Sequence, residues 1–328
     1  MIQRLSQRLA MGAALALALS AGACAEAPED AAGAVVETEA AAAAAVQPAE
    51  SQAAEAEAEE GFEFPEDAWR DLDPENTLYI ETDYGRVVIE LAPEFAPSHV
   101  DRMKTLARDQ FYDFLIWHRV IDGFMAQGGG SRSNPNHGTD LPDLEAEFTI
   151  SRGGDFTVSE LQDRVVNPRS VRRMAKSGFW NGFHAGTDPI AAAALTVDGQ
   201  VSSWLLHCEG AASMARANDP NSAGSQFYVT RANADHLNSI YTVWGRVRAG
   251  QEAINSLRVG TVGQDMGFTP DVIRSMRVAA DLPEGERTVV QVADTEHAAF
   301  GDYLDTLRNS DGSLPDICEI EIPTRTAD

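Results

Sequence analysis

Trp117-His118-Arg119-Val120-Ile121-Asp122-Gly123-Phe124-Met125-Ala126-Gln127-Gly128-Gly129-Gly130 carries the densest chemistry of this chain. The apolar run from Leu115 to Ile121 reads as a strand, and Arg119 lies near its end beside His118. Phe124 and Met125 follow a turn at Asp122-Gly123, and after them come Gln127 and three glycines. Glycine lets a backbone come close to a ligand or to another part of the chain. The stretch therefore offers one permanent cation, one amide and two large apolar groups beside an approachable backbone. The same residues also fit a blander reading, in which Arg119 serves a structural ion pair and Phe124 and Met125 are ordinary core.

Outward from this stretch the chain reads as mainly β. Leu78, Ile80 and Thr82 alternate with Tyr79 and Glu81, and Asp83-Tyr84-Gly85-Arg86 turns the chain into Val87 to Leu91. That pattern predicts a hairpin. A helix opens between Pro93 and Ser98, with Val100, Met103 and Leu106 at helical spacing. Further strands are expected over Leu115 to Ile121, Ala211 to Met214, Gln226 to Thr230, Thr242 to Val247 and Val272 to Val278, and a short helix over Gln251 to Leu257. Many short strands with two or three helices point to a sandwich or barrel. No nucleotide loop, dinucleotide glycine fingerprint, serine elbow or H-E-x-x-H is present, and the seven histidines are scattered. No metal site is expected.

Downstream, Ala-Ser-Met-Ala-Arg-Ala-Asn-Asp-Pro-Asn-Ser-Ala-Gly-Ser-Gln-Phe-Tyr occupies 212–228, followed by Asp235-His236-Leu237 and Tyr241-Thr242-Val243-Trp244-Gly245. Together with Trp117 to Gly130, in this order, these motifs resemble those of the cyclophilins. The resemblance runs from Thr77 to Leu282 and is interrupted by an insertion at about 149–207. It implies a closed antiparallel β-barrel capped by two helices, and a peptidyl-prolyl cis/trans isomerase that needs no cofactor. Arg119 takes the place of the family's catalytic arginine. Phe124, Met125, Tyr228 and Leu237 would line the proline pocket, and Gln127 and the Arg216 backbone would hold the substrate main chain. His118 and Tyr241 would border the site, and Ala215 and Gln226 would help shape it. Three positions depart from the common pattern: Tyr228 stands for a usual Phe, Arg216 for a usual Asn, and His236 where eukaryotic members often carry Trp. The last predicts weak cyclosporin binding, with catalysis intact. The implied partners are proline-containing unfolded or partly folded polypeptides, bound by a monomer.

The ends read differently. Arg4 and Arg8 precede an apolar run from Leu9 to Leu19, too short to span a bilayer, so residues 1–23 read as a signal peptide. Ala21-Gly22-Ala23 suits ordinary cleavage, and with Cys24 it also resembles a lipobox. In the second reading a lipid on Cys24 holds a periplasmic protein at a membrane; in the first the protein is simply exported. Residues 24–76 are rich in Ala, Glu and Asp, with Arg70 the only basic residue, and read as a disordered tether. The net charge of −26 argues against nucleic acid as a partner. Cys208 and Cys318 remain, and an oxidising compartment favours pairing them over leaving two buried thiols. Within the insertion, Trp180 and Phe183 either overhang the site and select substrates or belong to a structural elaboration on the barrel's outside, and Ser170 to Met174 could start a helix. Residues 283–328 are expected to pack on the domain, with a strand over Thr288 to Val292 and a helix over Phe300 to Leu307.

Overall fold

The structure, a computed structural model, describes residues 62–326 apart from 135–136, 155–157, 167–172 and 265–266. The expected signal peptide, Cys24 and most of the tether lie outside the described residues.

The first hairpin forms as its alternation requires. Thr77–Thr82 pairs with Gly85–Leu91 in a register that sets Leu78 opposite Ile89 and Ile80 opposite Val87. These four side chains enter the main core. Their neighbours Tyr79 and Val88 face the other way, yet are buried too, because Ala279 and Val290 of the C-terminal segment cover them. The hairpin belongs to one curled antiparallel sheet of nine strands. Their order is Gly260–Thr261, Arg119–Ile121, Met125–Gly128, Phe227–Thr230, Ala211–Met214, Val243–Ala249, Gly85–Leu91, Thr77–Thr82 and Ser275–Val278. The two edge strands form no ladder with each other. Closure comes instead through backbone bonds from Phe114 N–H to Ile273 O, from Ile273 N–H to Leu115 O and from Trp117 N–H to Asp271 O. The expected closed barrel is therefore not closed by a ladder: irregular chain joins its edges, and the expected strand from Leu115 shortens to Arg119–Ile121, because Leu115 to Trp117 bond to the irregular chain at Asp271 to Ile273. Helices Pro97–Arg108 and Gln251–Asn255 pack on the sheet, burying Val100, Met103, Leu106, Ala253 and Ile254 in the same core.

A second core lies beside the barrel and draws on three distant segments. Residues 62–76, expected as the end of the tether, are folded: Trp69–Asp71 pairs with Val290–Ala293, which pairs with Thr324–Thr326. The physical reason is aromatic. Phe64 packs against Trp69, Phe300 and Tyr303, so an acidic stretch still holds anchors. The insertion forms a five-stranded sheet ordered Ile150–Arg152, Val201–Leu205, Phe183–Thr187, Arg173–Trp180 and Ser159–Val166. Arg173 begins a strand where a helix was expected, and Ser170 to Arg172 lie outside the described residues. Phe179, Trp204 and Leu206 of the insertion meet Val292, Phe300, Leu304, Ile317 and Ile320 of the tail in one apolar cluster. The tail helix is Ala298–Thr306. Cys208 and Cys318 form a disulfide across this cluster, with Cα atoms 5.1 Å apart.

Trp180 and Phe183 are buried against Ala92, Phe95, Leu205, Ala211 and Val243. They join insertion to barrel and do not overhang the site, so the substrate-selecting alternative is corrected in favour of the structural one. An ion cluster reinforces the joint. Arg70 Nη1 and Nη2 donate to the Glu90 carboxylate at 2.6 and 3.0 Å, Arg248 Nε donates to the same carboxylate at 2.7 Å, and Arg248 stacks on Phe183.

Candidate active site

Strand register builds the site. Arg119 lies opposite Gln127, and Gln127 lies opposite Tyr228, across three adjacent strands. Residues directly opposite on neighbouring strands share one face, so the three side chains form a row. Their sequence neighbours Val120, Ala126, Phe227 and Val229 point the other way into the main core. Two residues before Gln127, Met125 falls on the outer face with the row. It clusters there with Tyr228, Ala234 and Leu237, bordered by Phe124, Ala215 and Tyr241.

These groups enclose a hollow of about 190 Å³ lined by Arg119, Phe124, Met125, Gln127, Ala215, Arg216, Tyr228, Leu237 and Tyr241. Nine of the residues expected at the site therefore meet. Gln226 stands just beyond, its Oε1 accepting from Gln127 Nε2 at 3.1 Å. His118 is buried behind it and leaves the lining. A second hollow of about 340 Å³ continues past Gln127, Ala215, Arg216 and Gln226 to His137, Thr139 and Asp143. Those last three come from a loop with no motif, and no pattern in the sequence pointed to them.

The polar groups are firmly oriented. Arg119 Nη1 donates to Gln127 Oε1 at 3.1 Å, while the Gln127 amide group is held by Gln226. No carboxylate pairs with Arg119 among the described residues, so the ion-pair alternative raised by the sequence does not apply. Among the described residues no carboxylate compensates its charge, and it stands fixed at the rim of an apolar pocket, where it can act on a bound group. Burial, with the Arg119 charge adding to it and Gln226 opposing it, keeps His118 below the ordinary histidine value and neutral at pH 7. The Arg216 guanidinium is held in place: it donates to the carbonyls of Ala217 and Ile240 and stacks 4.3 Å over Tyr241. Its main-chain groups take no hydrogen bond among the described residues, which leaves them open to a bound peptide. His236 stacks near Phe124, with ring centroids 5.5 Å apart.

Sequence and structure comparisons agree on one family. Residues 77–278 match the model for cyclophilin type peptidyl-prolyl cis-trans isomerases. A probable peptidyl-prolyl cis-trans isomerase of Brucella suis is 29% identical over 221 residues, covering 64% of this chain and 85% of that protein. Peptidyl-prolyl cis-trans isomerase B of Bacillus subtilis is 28% identical, over 57% of this chain and 94% of its own. Among solved structures, cyclophilin AquaCyp293 from Hirschia baltica superposes with a TM-score of 0.68 at 32% identity, covering 80% of this chain and 98% of that one. The likeness thus takes in more of the chain than residues 77–278 make up.

Proposed function

Given that the chain belongs to the cyclophilin family and is a peptidyl-prolyl cis/trans isomerase, we propose that it acts on Xaa-Pro bonds of exported polypeptides and assists their folding, with Arg119 as the catalytic residue. The observation that carries the assignment of Arg119 is its uncompensated guanidinium, held by Gln127 at the edge of a proline-sized apolar hollow.

The chemistry follows from the peptide bond. Rotation is opposed by a barrier of about 18–20 kcal/mol because the nitrogen lone pair is delocalised into the carbonyl. Twisting the Xaa-Pro bond localises that lone pair on a pyramidal nitrogen, which then accepts a hydrogen bond. A guanidinium beside the nitrogen stabilises the twisted state more than either planar one, and this difference is catalysis. Phe124, Met125, Tyr228 and Leu237 hold the proline ring while the preceding carbonyl turns. Gln127 and the Arg216 main chain grip the flanking peptide, so that bond rotation does not become motion of the whole ligand. An acceleration of about 10⁵ requires roughly 7 kcal/mol, within reach of these contacts together. Removing one such donor costs on the order of 10²–10³ in rate. Arg119→Ala is therefore expected to lose that much kcat/KM on a short Xaa-Pro peptide while keeping its fold. A variant as active as wild type would remove Arg119 from the mechanism.

Export is supported by the basic and apolar N-terminal run and by the pairing of Cys208 with Cys318, which suits an oxidising compartment. A lipid on Cys24 would hold the protein at a membrane on the periplasmic side. Cell fractionation with mass measurement of the mature N-terminus tests this: a diacylated Cys24 supports the anchor, and an unmodified N-terminus removes it.

A further inference from the structure

Behind the pocket floor lies a buried histidine that catalysis does not use. His207, the last residue of the insertion, is fully buried, and its Nε2 lies 3.1 Å from the Tyr228 hydroxyl. The two ring planes are nearly parallel, 17° apart, with centroids separated by 6.1 Å. On its other side, His207 Nδ1 is 3.2 Å from Asn238 Oδ1. That oxygen also accepts the His207 backbone N–H at 2.8 Å, which only a carbonyl oxygen can do and which therefore fixes the amide's orientation. The proton must then sit on Nδ1, leaving Nε2 as the acceptor for Tyr228. The chain of donors runs from Tyr228 to His207, from His207 to Asn238, and from Asn238 Nδ2 to Asp235 Oδ1 at 3.3 Å. Ala234 N–H donates to the His207 carbonyl at 2.8 Å, so the histidine backbone is pinned as well.

We propose that His207 is a positioning residue of the isomerase site: it draws the Tyr228 hydroxyl away from the substrate and ties the pocket floor to the wall that carries Leu237. The inference rests on the hollow being the proline site. Tyr228 replaces an apolar ring with one that has a polar tip, and a hydroxyl turned into the pocket would face the proline ring. His207 supplies that partner from behind and leaves the substrate an apolar ring. It also bridges two elements that the sheet does not connect, strand Phe227–Thr230 and the turn Asp235–Leu237. Burial pushes the His207 pKa down to about 4, with the neighbouring His236 adding and Asn238 opposing, so it stays neutral as this arrangement requires. Its influence should fall on the grip, which is shared by ground and transition states, and so on KM more than on kcat.

The test uses the full mature chain and a blocked tetrapeptide containing an Ala-Pro bond, reading kcat and KM by exchange spectroscopy and Kd by NMR titration. His207→Leu is expected to raise KM and Kd about tenfold with kcat within about twofold of wild type, the signature of lost uniform binding. His207→Gln, whose amide oxygen reaches the place of Nε2, should stay within about threefold of wild-type KM, and adding Tyr228→Phe to His207→Leu should recover most of the loss. If His207→Leu does not fold, Tyr228→Phe alone carries the test, with a KM rise of about threefold expected from the freed ring. An active wild type whose KM is unmoved by these substitutions, or a double variant no better than His207→Leu, overturns the inference and leaves the isomerase intact. A folded wild type that turns over no peptide overturns the functional reading itself, and the Kd series still decides whether His207 shapes the pocket.

Discussion

The barrel face that carries Arg119 and the composite core beside it are built by opposite means. On the barrel, contiguous motifs fall on adjacent strands, and register alone sets Arg119, Gln127 and Tyr228 in a row. In the composite core, residues near 64, 179, 204, 300 and 317 meet although long stretches of chain separate them. The first region presents a cation that no carboxylate pairs among the described residues. The second is bound by a disulfide, by a buried ion cluster and by aromatic contacts, and it contributes no side chain to the lining of the proline hollow. The chemistry lies on the first, while the second fastens distant parts of the chain, with His207 standing at their junction.

That division has measurable consequences. Replacing both Cys208 and Cys318 by Ser releases a loop with a sequence separation of 110 residues. In the chain-entropy model this costs about 4–5 kcal/mol. Urea unfolding should show that loss while peptide isomerisation stays within about twofold, because the row on the barrel is untouched. Glu90→Gln comes next. Arg248 is almost fully buried, and with the carboxylate gone it and Arg70 would face each other uncompensated, a loss of about 3 kcal/mol. Denaturant midpoints for Glu90→Gln and Arg70→Met, compared, would show whether the shared carboxylate dominates.

The third effect, seen only as pH falls, is a pH dependence. A histidine whose folded value is about 4 stays neutral in the fold while the unfolded chain takes up a proton below about 6.5. Its contribution is complete above that unfolded value and is lost progressively as pH falls from about 6.5 to about 4, amounting to roughly 3 kcal/mol at most. Glu147 works at lower pH. Burial pushes its pKa up, but the His99 side chain and the backbone N–H groups of Ser98 and His99 more than offset this, and the net value is lowered. Its share is present above the unfolded value of 4.5 and disappears as pH drops through the lower folded one. The stability-pH curve of His207→Gln should therefore be flatter than wild type between about pH 6.5 and 4, and parallel to it below.

How much could be read in advance follows the same division. The hairpin at Thr77, the helix after Pro97 and the motif row were legible because hydrophobic alternation and motif order are local signals. The folded state of residues 62–76 was hidden by composition: Phe62, Phe64 and Trp69 are few among many acidic residues, and their partners lie in the distant tail. Inside the insertion one local signal went unread. Asn181-Gly182 joins two paired strands as a two-residue turn with both φ positive, at 42° and 79°, and Asn-Gly is the strongest short-range hairpin signal. It would have shown that Trp180 and Phe183 lie side by side on paired strands and are not the tip of an overhanging loop. The contact between His207 and Tyr228 had no such signal, since it joins the end of one element to the middle of another.

The separation of chemistry from fastening is tested most directly by one side-by-side measurement of kcat/KM on a short Xaa-Pro peptide. Wild type, Arg119→Ala and the Cys208→Ser/Cys318→Ser pair would be compared well below their unfolding temperatures. The expected result is a loss on the order of 10²–10³ for Arg119→Ala and less than about twofold for the cysteine pair. An Arg119→Ala enzyme with wild-type rates, or a folded cysteine variant that has lost activity, would contradict it.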